Sequence, residues 1–315
     1  MLIGIDESGD FSSERSSFYV SVFIRPKFQT EIEWLFNKWE KTIPKEFRDS
    51  GGEVKGYLLN EEQLTNFVEQ VMFNQKTNIR YSCFGISTSK KNLEAAQFQK
   101  DLNIQQIKDA IIGYKNQGGE FVKTSNIYGN LLGWWQKLHL TNVIKIKLLG
   151  QIICDSLNFA IGWSAANDFD KELRCLQFKL DKCFIDNDTK QIFWKDVLRS
   201  QIWHYSVAKG GILDIAEWTE KHPFNTTFVG HDAEHAILKP EFSKRIGFYD
   251  SKRTFEVRVA DIVASIMNRY INKEELSELF GIIRKLHSIE KPYILIEYSK
   301  KHPIVPSPYP PFEKG

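Results

Sequence analysis

Cysteine is scarce in this sequence. Only 4 occur in 315 residues (Cys83, Cys154, Cys175 and Cys183), and no two form a C-x-x-C pair. That spacing fits free buried thiols in a reducing cytosol better than disulfides or a zinc knuckle. Neither sign of charge is in excess, since 42 Lys and Arg face 40 Asp and Glu. Without a global basic signature, contact with nucleic acid would need a local patch. Long apolar runs are missing as well. Residues 1 to 25 carry Asp6, Glu7 and Asp10 where a signal peptide would need an apolar core. The most apolar later stretch, Val143 to Ile161, is interrupted by Lys145, Lys147, Gln151, Asp155 and Asn158. It reads as a buried amphipathic helix and not as a membrane span. No internal repeat, low-complexity block or interdomain linker stands out. The expectation is a cytoplasmic protein without a membrane partner, with its oligomeric state left open.

Half of the 10 prolines lie in the last thirteen residues, at 303, 306, 308, 310 and 311. Residues 301–315 therefore read as an extended Pro-rich tail, and residues 1–300 as a single domain. Aromatic content is high at 13%, with 23 Phe and 8 Trp, which implies thick cores between helices and a sheet. Phe28, Ile32, Leu35, Phe36, Trp39 and Ile43 carry a helical period ending near Pro44. Leu64 to Met72 predicts a second helix, Phe18 to Ile24 and Ile79 to Ser87 predict strands, and residues 91–166 predict a helical insertion. Trp134 and Trp135, on an apolar helical stripe, read as core. Leu176 to Ile185 predicts a strand stopping at Asp186-Asn187-Asp188, with a helix after it. Ile246 to Tyr249 predicts a short strand, Phe255 to Tyr270 a helix with Val259, Ile262, Val263 and Ile266 inward, and residues 273–287 a last helix. The sum is an α/β fold: a mixed sheet flanked by helices.

The chemistry concentrates at residues 2 to 11, LIGIDESGDF. The apolar Leu2, Ile3 and Ile5 give way abruptly to Asp6, Glu7, Ser8, Gly9 and Asp10. This reads as a buried strand whose C-terminal end opens onto a site, followed by a hairpin turn at Gly9. Three acids within five residues repel one another, and a hard divalent ion such as Mg²⁺ or Mn²⁺ relieves that repulsion. Further acids sit where apolar elements meet a break or a helix: Glu53 after Gly51-Gly52, Asp186 after the later strand, and Asp261 between Ala260 and Ile262. An Asp beside a buried helix face is costly unless paired, hydrogen-bonded or metal-bound. For Asp261 the plain alternative is an i, i+3 pair with Arg258. Carboxylates converging from several elements suit phosphodiester cleavage by metal-activated water.

IGIDESGDF, EVKG (Glu53 to Gly56) and DSK…VRVADIVAS (Asp250 to Ser265) together resemble the family known as domain of unknown function 3800. The resemblance implies a ribonuclease H-like fold and a divalent-metal-dependent nuclease or phosphoesterase, with nucleic acid as a possible partner. It implies Asp6 as the strand-1 carboxylate, Asp261 as the helical carboxylate and Glu53 as the acid of the E-x-K-G segment. Asp186 is the choice for the strand-end acid, with Asp181 as the alternative. Lys55 and Lys252, within the motif segments, can contact a scissile phosphate as point charges. Where family members often have Gln three residues before the helical Asp, this chain has Arg258, a cation able to hold a phosphate or to take a metal's place.

Three rival readings remain. His231 and His235, spaced i, i+4, could hold zinc on one helix face, although no third ligand is evident. An actin-like or sugar-kinase ATPase also begins with strand–Asp–Gly chemistry, but here Gly9 falls three residues after Asp6 and not two. The third is a non-catalytic binding or regulatory protein on the same scaffold.

Overall fold

The computed structural model describes residues 1–9, 11, 15–74, 79–87, 90–119, 121–182, 198, 222–231, 236–238, 240–272, 279, 281 and 294–295. Strand β1 (Leu2–Ser8) turns back into β2 (Ser16–Ile24), and β2 leads to helix α1 (Gln29–Glu40). Helix α2 (Glu61–Phe67) and strand β3 (Arg80–Ser87) follow, then helices α3 (Lys90–Gln117), α4 (Phe121–Lys137) and α5 (Leu140–Ala166). Strand β4 (Gln177–Asp181), helix α6 (Pro223–Phe228) and strands β5 (Val229–His231), β6 (Ala236–Leu238) and β7 (Ile246–Tyr249) come next. Helix α7 (Phe255–Ile271) and the two-residue strand β8 (Ile294–Leu295) complete the described elements.

The main sheet has the order β7-β4-β1-β2-β3-β8. It is antiparallel across β1–β2 and β2–β3, and parallel across β1–β4, β4–β7 and β3–β8. Side chains alternate across a strand, so Ile3, Ile5, Phe178 and Leu180 join the core on one face, together with residues of α3, α4 and α5. Leu2, Val20 and Val22 face the opposite core, built with α1, α2 and α7. The molecule is thus an α/β protein with helices on both faces of a mixed sheet. Helix α5 is buried on most of its circumference, from Val143 to Ser164, as expected for a helix held between the sheet and α3. Trp135 is buried and Trp134 packs against the same core. On the other face Phe36, Trp39 and Phe67 meet with ring centroids 4.9–6.3 Å apart, in the tilted and edge-on geometries that aromatic pairs favour.

Two glycines set the approach of α7. A Cβ on Gly4 would lie 2.2 Å from the Glu256 carbonyl oxygen, so β1 and α7 meet backbone to backbone. A Cβ on Gly56 would lie 2.4 Å from Ser265 Oγ and 2.9 Å from the Asp261 carbonyl oxygen. Beside Gly4, Lys179 Nζ on β4 reaches Glu256 Oε1 at 2.8 Å, a buried ion pair tying helix to sheet.

Two expectations need correction. The strand expected over residues 176–185 ends at Asp181. The ladder ends there: β1 pairs with it from Gln177 to Leu180, and β7 stops at Tyr249 opposite Asp181. The segment around His231 is not a helix, because β5 and β6 pair antiparallel with His231 opposite Ala236. His231 therefore stands on a strand and not on the helix face weighed for the zinc alternative. His235, the helix expected after Asp188 and most of the helix expected over 273–287 lie outside the described residues.

Candidate acidic site

Asp6 stands at the C-terminal end of β1 and is 4% exposed. Alternation places it on the α7 face of the sheet, beside Leu2 and Gly4. Extending the parallel β1–β4 register by one residue puts Asp181 next to it on the same face. Asp181 is likewise buried. Asp261 comes from α7, half-buried, one helical turn after Val257. Three carboxylates from β1, β4 and α7 therefore act on one another through space. Burial pushes the Asp6 carboxyl well above its ordinary value, and repulsion from Asp261 and then Asp181 pushes it further. The Glu7 backbone N–H, donating to Asp6 Oδ1 at 2.8 Å, only partly offsets this. Asp261 is raised to about 6 by burial, against the pull of the Gly56 N–H and Lys55 and with the push of Glu53 and Asp181.

The EVKG segment closes the site on its α7 side. The Gly56 N–H donates to Asp261 Oδ2 at 3.0 Å, which the absent Cβ of Gly56 makes possible. Glu53 is buried; its Oε1 lies 3.0 Å from Lys55 Nζ, and its Oε2 accepts from Ser251 Oγ at 3.4 Å. Lys55 is the cation of the cluster. Burial pushes its ammonium down, but Asp261, Glu53 and Asp6 together outweigh that and hold it above its ordinary value.

The other sequence-predicted residues divide. Lys252 is exposed on the turn capped by Asp250, with its Nζ beside Gly51. Arg258 turns to α1: it pairs with Glu40 and lies over the Phe36 ring, 4.7 Å from its centroid. Burial pushes its guanidinium down to about 10 against the pull of Asp261. The i, i+3 pair with Asp261 is therefore not the contact Arg258 makes. Glu7, one residue after Asp6, faces the other layer and pairs with Lys145 of α5 at 3.0 Å. Asp186 lies outside the described residues, and the acid at the strand end is Asp181. The Lys179–Glu256 pair has no local signal, because its partners are 77 residues apart.

The donors are hard carboxylate oxygens, the ligand type Mg²⁺ and Mn²⁺ take. Their mutual repulsion is the condition a divalent ion relieves. As placed, no group of three or more His, Cys, Asp or Glu side chains among the described residues is set to hold a metal ion. Cys83, Cys154 and Cys175 are free thiols. No helix among the described residues is long and apolar enough to cross a membrane. Compared with protein-family models, curated proteins and solved structures, the chain matches none.

Proposed function

We propose that the chain is a divalent-metal-dependent nuclease or phosphoesterase with a ribonuclease H-like core, as its resemblance to the domain of unknown function 3800 family implies. The observation that carries this reading is the convergence of Asp6, Asp181 and Asp261 on one face of the sheet, each buried or half-buried beside the next. A mixed sheet with helices on both faces agrees with such a core. Asp6, Asp181 and Asp261 would hold Mg²⁺ or Mn²⁺, with Glu53 flanking them, once the carboxylates draw together. A bound ion would supply Lewis-acid polarisation of a phosphoryl oxygen and activation of water at neutral pH.

The chain's own groups orient that chemistry. The Glu7 and Gly56 N–H groups each fix one carboxylate oxygen, on Asp6 and Asp261 respectively. Lys55 lies where it can contact a phosphate once released from Glu53, and exposed Lys252 adds positive charge near Gly51. The proposed setting is the cytoplasm and the proposed partner is nucleic acid. Asp6→Asn or Asp261→Asn should abolish hydrolysis of a mixed DNA and RNA panel in Mn²⁺ while leaving the fold intact by circular dichroism. Cleavage by both variants at the wild-type rate refutes the assignment.

One observation favours a second reading, a binding or regulatory protein on the same scaffold. Lys55 already supplies positive charge to the acids, so the cluster can exist as a purely structural network. Wild-type protein that gains no thermal stability from Mn²⁺ would favour that reading.

A further inference from the structure

The turn that closes the acidic site also carries the most exposed large apolar side chain among the described residues. Tyr57 is 65% exposed, directly after Gly56, whose N–H holds Asp261. Its neighbours are anchored: Gly56 is buried against Ser265, and Leu59 is 1% exposed. Arg269 of α7 fixes the backbone here, its Nη2 donating to the Tyr57 carbonyl at 2.9 Å and reaching the Gly56 carbonyl at 3.5 Å. Tyr57 is thus presented to solvent from a pinned 3₁₀ turn, Gly56–Leu58. A single exposed aromatic is ordinary on a protein surface; Tyr57 differs in being held on pinned backbone directly after the residue that binds Asp261. The other exposed aromatics among the described residues, Trp34, Phe73, Phe98 and Phe121, lie on segments other than the one that carries Glu53, Lys55 and Gly56. Cations come from the neighbouring segments: Lys55 two residues before Tyr57, Arg269 bonded to the Tyr57 carbonyl, and Lys252, whose Nζ lies beside Gly51.

We infer that Tyr57 is a stacking platform for an unpaired base, which makes the substrate of this site a single-stranded nucleic acid. The inference rests on the proposed nuclease reading and narrows its substrate. A flat π-face beside cationic side chains is the combination that holds a single strand without reading its sequence. A base within a duplex has no free face to offer, so the contact selects against double strands. Tyr57 is a specificity residue and touches no reacting atom.

The test measures anisotropy of fluorescein-labelled single-stranded oligothymidine, its RNA counterpart oligouridine, and a mixed-sequence DNA duplex, all in Ca²⁺. Tyr57→Ala should weaken single-strand binding about tenfold to a hundredfold, leave duplex binding unchanged and keep the wild-type Mn²⁺ thermal shift. Tyr57→Phe should bind like wild type. A preference between the DNA and RNA strands identifies the source of the strand, and either preference agrees with the inference. Tyr57→Ala binding as tightly as wild type overturns it, as does an equal loss on strand and duplex or a Phe variant as weak as Ala. If wild type shows the Mn²⁺ shift and hydrolyses bis(p-nitrophenyl) phosphate but binds no single strand, this inference fails and the nuclease reading stands. If wild type shows no Mn²⁺ shift, both fall.

Discussion

Replacing Asp261 with Asn should make the metal-free protein more stable at neutral pH, although it removes a proposed active-site carboxylate. The reasoning starts from the raised carboxyl, about 6 in the folded protein against an ordinary 3.8. Between those values the folded chain holds a proton that the unfolded chain has released, so stability falls as pH rises. The stabilising protonation is complete below 3.8, lost through the interval, and absent above about 6. A little over two pH units at about 1.4 kcal/mol each comes to about 3 kcal/mol. With about 2.1 cal/mol/K of unfolding entropy per residue, that is about 4 or 5 °C in Tm for this chain. The Asn side chain keeps an oxygen for the Gly56 N–H, so the hydrogen bond is retained while the charge is not. The assay is thermal unfolding in EDTA from pH 4 to pH 8, read as variant minus wild type so that unrelated titrations cancel. The gap should be near zero at pH 4 and open to about 4 or 5 °C by pH 7.5. A variant no more stable than wild type at pH 7.5 refutes the reasoning, since it would mean that Lys55 and the Gly56 N–H already outweigh burial and repulsion.

Three further outcomes follow from the packing. Lys55→Met removes the positive charge at 3.0 Å from Glu53 and should cost about 1.5–3 kcal/mol at pH 7.5 but less at pH 4.5, by denaturant titration; an equal loss at both contradicts it. Gly4→Ala, whose Cβ would fall 2.2 Å from a helix carbonyl oxygen, should cost about 1–3 kcal/mol with no pH dependence, in the same titration. Lys179→Met strands the buried Glu256 carboxylate, with only Gln29 Nε2 near it at 3.4 Å. It should cost about 3–5 kcal/mol, and most of that loss should return when Glu256→Leu is added.

Much of the fold was legible because its elements announce themselves locally. The apolar stripe of α1, the inward positions of α7 and the limits of β7 were read from spacing, and all three agree with the structure. The acids were found because a charged side chain at the end of an apolar run needs a reason. What stayed hidden depends on distant neighbours. Asp181 came second to Asp186 because the sequence after it remains apolar, and only its pairing with β7, which stops at Tyr249 opposite Asp181, shows where that strand ends; Asp186 itself lies outside the described residues. Arg258 lies three residues before Asp261 but pairs with Glu40, 218 positions away, and no spacing rule reaches that far. His231 and His235 offered helical spacing, yet His231 lies on β5 paired with β6, since three-residue strands carry too little pattern to outweigh such spacing. Gly4 did hold a usable signal: a glycine inside an apolar strand marks a close approach of backbone, here that of α7. Tyr57 carried none, because exposure is a property of the finished surface.

The proposal turns on Asp6, Asp181 and Asp261 drawing together around a divalent cation. Isothermal titration of Mn²⁺ into the metal-stripped protein at pH 7.5 tests it most directly, with Asp6→Asn and Asp181→Asn beside the wild type. Saturable binding by the wild type that is lost in both variants is the predicted result. A wild type that takes up no Mn²⁺, or variants that bind it as tightly as the wild type does, would contradict the claim.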